Sequence, residues 1–84
     1  MPTIHRAHGL RFVIYLNDHS PAHVHAIGAD GEAKIILGSE GEPPRLDWVK
    51  GLSAADVRRA MAEVGAEQTR LREAWKRNHE DGLT

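Results

Sequence analysis

At Ser53 the spacing of apolar residues changes from every second position to every third or fourth, and this switch decides most of what the chain can become. Upstream, LRFVIYL at residues 10–16 sets Leu10, Phe12, Ile14 and Leu16 on one side and Arg11, Val13 and Tyr15 on the other, as a half-buried strand does. HVHAI at 23–27 sets Val24 and Ala26 opposite His23 and His25. EAKIIL at 32–37 sets Ala33, Ile35 and Leu37 against Glu32, Lys34 and Ile36. Turn-forming residues separate these runs: NDHSP at 17–21, then Asp30-Gly31 as a hairpin signal. GSEGEPP at 38–44 is a loop, after which 45–49 can form a short edge strand.

Downstream, Val57, Ala60, Met61, Val64, Leu71 and Trp75 recur at three-, four- and seven-residue steps, one apolar face of a helix over 53–79. Ser53 suits the N-cap, Asp56 suits the positive helix end, and Asp81-Gly82 ends the run. Gly65 is its weak point, at about 1 kcal/mol relative to alanine. The expected fold is therefore α+β: a three- or four-stranded antiparallel sheet (10–49) with one long C-terminal helix (53–79) packed on one face, in a single domain over 1–84. Trp48 is expected beneath the helix, and the face carrying His23 and His25 is expected to stay open. Such a helix is on the order of 39 Å long, against about 30 Å for a compact globule. One end should then overhang, and Leu71 and Trp75 on it would need cover from a second copy or a small partner protein.

Composition removes several function classes. With 40% hydrophobic and 27% charged residues the chain is neither disordered nor membrane-like, and no run approaches the roughly 20 apolar residues of a spanning helix. MPTIHRAHGL lacks the apolar region of a signal peptide. Zero cysteines exclude disulfides, thiolate nucleophiles and thiolate zinc sites, and point to the cytoplasm. A net charge of -1 argues against a uniformly basic nucleic-acid binder.

The chemical lead is histidine: five of the six (His5, His8, His19, His23, His25) fall in the first 25 residues. His23 and His25 point to one side of a strand, and Asp18 and His19 lie in the turn before it. No cofactor is required by this pattern, yet His19, His23, His25 and Asp18 form a candidate set for a divalent metal such as zinc. The second chemistry is metal-independent cleavage of RNA. One histidine would act as general base on a ribose 2′-hydroxyl and another as general acid, with Arg11 or Lys34 on the phosphate. His19, His23, His25, Arg11 and Tyr15 are the candidate catalytic residues. The plain alternative is a solvated sheet face with cross-strand charge pairs and a histidine-capped turn. His5 and His8 precede the first strand and are placed outside the cluster. The helical Arg58, Arg59, Arg70, Arg72, Lys76 and Arg77 interleave with Glu63, Glu67, Glu73 and Glu80, as on a solvated surface.

MPTI at 1–4, NDHSPAHVH at 17–25, GEAKI at 31–35 and the late helical EAWKR together resemble a small bacterial family, domain-of-unknown-function family 4160, over nearly the whole chain. Ala22 departs from it, standing where the family more often has a second proline. The resemblance implies a component of a toxin–antitoxin-like two-gene module whose histidine face engages RNA or a partner protein. A non-catalytic protein-binding module is the alternative from another class.

Overall fold

The period-two runs form a sheet, but with one strand more than expected. The computed structural model describes residues 3–15 and 19–80, the side chains of 78–80 excepted. Its elements are β1 (Thr3–Ala7), β2 (Leu10–Val13), β3 (His23–Ile27), β4 (Glu32–Ile36), β5 (Arg45–Lys50) and α1 (Ala54–Glu80). The strands lie in chain order β1-β2-β3-β4-β5, and every neighbouring pair is antiparallel. The architecture is thus α+β, with five strands where three or four were expected.

The added strand is β1. Ala7 pairs with Leu10, so only His8 and Gly9 make the turn, with φ values of 57° and 76°. Two successive positive φ values match the twist of flanking strands, and glycine adopts the second without a Cβ penalty. The alternation of TIHRA is hidden in the sequence because the register shifts between Thr3 and His5, which breaks the period at Ile4. Leu16, the expected end of the next strand, lies outside the described residues.

Phe12, Val24 and Ile35 from the sheet and Ile14 just after β2 join Ala60, Val64, Leu71 and Trp75 from α1 in one hydrophobic cluster. Burying each large side chain contributes roughly 1.5–3 kcal/mol. The helix starts as its sequence demands: Ser53 Oγ accepts from the Asp56 amide at 3.1 Å, and the Ser53 carbonyl accepts from Val57 N–H at 3.0 Å. Between Val64 and Leu71 the apolar stripe is interrupted by Gln68, which has its own task. Its side-chain oxygen accepts from Gly38 N–H at 2.8 Å, and its amide donates to the Glu42 carbonyl at 2.7 Å, tying the β4–β5 loop to the helix.

The residues expected to need cover from another chain are covered within this one. Leu71 and Trp75 are 1% and 7% exposed within this chain, so neither calls for a second copy. Trp48 also departs from expectation. It lies opposite Lys34 on the face away from the helix and is 40% exposed. A second register shift, between Lys34 and Ile35, makes Leu46 rather than Asp47 the partner of Ile35 and so reorders the faces of β5.

Candidate functional site

The sheet face away from α1 is built in rows across the strands. One row runs Arg6, Arg11, Ile27, Glu32, Lys50, and the next runs Val13, His25, Lys34, Trp48. Tyr15, His25, Glu32 and Lys34 come together on this face. The expected openness is not found: His23 and His25 are 3% and 7% exposed, and Val13 is fully buried. The tyrosine explains part of this, since its ring meets His25 edge-on at 4.5 Å and its hydroxyl donates to Glu32 Oε2 at 3.4 Å. Trp48 stands at 5.8 Å from the same imidazole.

His25 Nδ1 donates to Glu32 Oε2 at 2.8 Å, a carboxylate contact that fixes the ring's orientation. His23 Nδ1 donates to the Pro21 carbonyl at 2.8 Å, and its ring lies 4.9 Å from Trp75 and 5.3 Å from His25. His23 is therefore part of the junction between the β2–β3 connection and the helix. His19 is exposed in that connection, and Asp18 lies outside the described residues. Among the described residues no three His, Asp or Glu side chains form a group that could hold a metal ion.

The cations of this face were not recognised as a set from sequence, apart from Arg11 and Lys34. Arg6, Arg45 and Lys50 are exposed and Arg11 is half-buried. Among the described residues no ion pair engages any of these four. Lys34 is paired with Asp47 at 3.3 Å, and Glu32 is taken by His25 and Tyr15. Five strand cations against two carboxylates make this face positive, although the chain carries a net charge of -1. The signal was present but hidden, since whole-chain charge averages over faces.

His5 and His8 form a separate cluster on the helix side. His5 Nε2 meets Glu63 Oε2 at 2.5 Å and His8 Nε2 meets Glu63 Oε1 at 3.4 Å, across more than fifty residues. Arg70 reaches His5 Nδ1 at 2.5 Å. A carboxylate only accepts, so His5 Nε2 is the donor to Glu63. The hydrogen bond from His5 holds the Glu63 carboxyl below its usual value of 4.5, with the charges of His5 and His8 adding to it and partial burial opposing it. Because the folded-state value is depressed, the stability Glu63 contributes is present above about pH 4.5 and is lost as pH falls through the lowered value. The melting-temperature gap between wild type and Glu63→Gln should hold steady from neutral pH to about pH 5 and close toward pH 3. A gap unchanged over the acid range would contradict this.

Among known proteins, the family model for a domain of unknown function (DUF4160) matches residues 9–76, from the β1–β2 turn to Lys76 in α1. No curated protein and no solved structure matches the chain.

Proposed function

Because the chain belongs to the family of unknown function DUF4160, we propose its role from the sheet face itself: it binds single-stranded RNA there, as a component of a toxin–antitoxin-like module. The observation that carries this reading is the set Arg6, Arg11, Arg45 and Lys50, unpaired among the described residues, on the face that also presents Trp48. Cations neutralise phosphates and release counterions, while an exposed indole offers a stacking surface indifferent to base identity. Trp48 sits beside His25 and Lys34, so a base stacked on it would have its backbone among these cations.

The expected affinity is salt-dependent, with a log–log slope of about -2 to -3 for three to four phosphate contacts on a single strand. Trp48→Ala should weaken binding of a fluorescein-labelled oligouridylate by roughly 5- to 150-fold, the equivalent of about 1–3 kcal/mol of stacking. Anisotropy titrations across salt concentrations read both. Binding that is absent at low salt, or that ignores Trp48→Ala, would sink the proposal.

Cleavage of the bound strand by His23 and His25 has one contact in its favour, the Glu32 carboxylate that orients His25. Against it stand the burial of both histidines and the bond of His23 to a backbone carbonyl. The protein-binding alternative is favoured by a different observation: Leu46 and Val49, on the helix side of β5, are 37% and 43% exposed.

A further inference from the structure

The β1–β2 end of the same face carries an arrangement that RNA binding in general does not require. Arg6 and Arg11 are direct cross-strand partners, two like charges where a sheet ordinarily places an opposite pair or a neutral one. The two-residue His8-Gly9 turn sets them in this register. The next residue across the row is Ile27, and the carboxylate beyond it, Glu32, is held by His25 and Tyr15. Nothing in the described sheet offsets the pair. By contrast Lys34, Arg59 and Arg70 each have a carboxylate within 3.3 Å.

Cross-strand partners have Cβ atoms about 5 Å apart, close enough for the two guanidiniums to turn several planar N–H donors toward one tetrahedral oxyanion. We infer that Arg6 and Arg11 form a phosphate-binding fork, and that the phosphate it takes belongs to the RNA strand bound on this face. The strand assignment rests on the reading proposed above; the phosphate chemistry stands on the pair itself. β2 and β5 are three strand spacings apart, about 14 Å, so a single phosphate cannot reach both the fork and the Trp48 end. An oligonucleotide can.

This separation makes the two ideas independently testable on the full chain. The variants are Arg6→Gln, Arg11→Gln and the double, with Trp48→Ala for the other end of the face. Removing one of two opposed like charges should raise the melting temperature of the free protein by a few degrees, whereas loss of a merely structural arginine would lower it. With inorganic phosphate as the probe, backbone amide signals of residues 5–12 should shift saturably in wild type. They should not shift with chloride at equal ionic strength, nor with phosphate in the double variant. With an eight-residue oligouridylate, the double variant should bind roughly tenfold more weakly and lose about 0.7 from the salt slope, the share of one phosphate.

Equal phosphate-induced shifts in wild type and the double variant would overturn the fork. A double variant that binds the oligonucleotide with unchanged affinity and slope would overturn the assignment of that phosphate to the RNA strand. If phosphate shifts the fork residues and the double variant weakens the oligonucleotide while Trp48→Ala does not, the fork stands and the stacking platform falls.

Discussion

Phe12→Ala should remove about 3–5 kcal/mol of stability, the usual cost of truncating a buried phenylalanine. Phe12 is fully buried in the middle of β2, where it pairs with Ala26 and meets the His5 ring at 5.5 Å. Its cross-strand partner Ala26 and the helical Ala60 of the same cluster are both fully buried alanines. Alanine side chains have no rotamers with which to fill a cavity, so the space left behind persists and the cost lies at the upper end. A chain of 84 residues has a total stability on the order of 4–13 kcal/mol, so the variant loses a large share of it. Urea melts followed by circular dichroism should show a midpoint far below wild type with a similar slope. A loss under about 1 kcal/mol would mean that the sheet and α1 do not meet over Phe12 as described.

Gly31→Ala is the second large effect, for a reason unrelated to helix or strand preference. A Cβ on Gly31 would stand 2.1 Å from the Lys50 carbonyl oxygen and 2.7 and 2.8 Å from the carbonyl carbon and Cα of Gly51. All three are backbone atoms, so no flexible side-chain tip can move aside. Gly51 returns the constraint: its φ is 88°, and a Cβ there would meet the Asp30 carbonyl at 2.5 Å. The β3–β4 turn and the β5–α1 connection therefore cross at two glycines. Adding a methyl should cost about 1–3 kcal/mol or more and push the end of β5 outward, carrying Lys50 and Trp48 with it. Thermal melts read the stability, and amide shifts concentrated at β5 read the displacement. Gly31→Ala with wild-type stability and unmoved β5 signals would refute the crossing. Gly65, by contrast, has only Pro44 near it, at 3.9 Å, and room for a methyl.

The legible parts of the fold are those whose signal is local. The runs read at 10–16, 23–27 and 32–37, the capped helix from Ser53 and the Asp30-Gly31 turn all follow from neighbouring residues; the strands formed are 10–13, 23–27 and 32–36, and the cap and the turn are present. β1 was not legible, because the irregularity at Ile4 breaks its alternation and His5 turns toward the helix rather than to solvent. Trp48 was misplaced for a similar cause, since the irregularity at β5 exchanges its faces. In the candidate site, the convergence of Tyr15, His25 and Glu32 follows from strand parity and hairpin order. That Arg6 joins Arg11 required β1 and so could not be read.

Residue order alone determines which side chains share a face within each element, because the repeat of a strand or a helix is a property of the backbone between near neighbours. It thereby assigned Val24, Ile35, Val64 and Leu71 to the core and His23 and His25 to the opposite side of β3. Only the tertiary structure decided what those faces meet. Tyr15 folds over His25, Trp75 reaches His23, and Glu63 gathers His5 and His8. Each depends on register, a bulge or the path of a connection, where many weak terms between distant residues combine and no single spacing records the result.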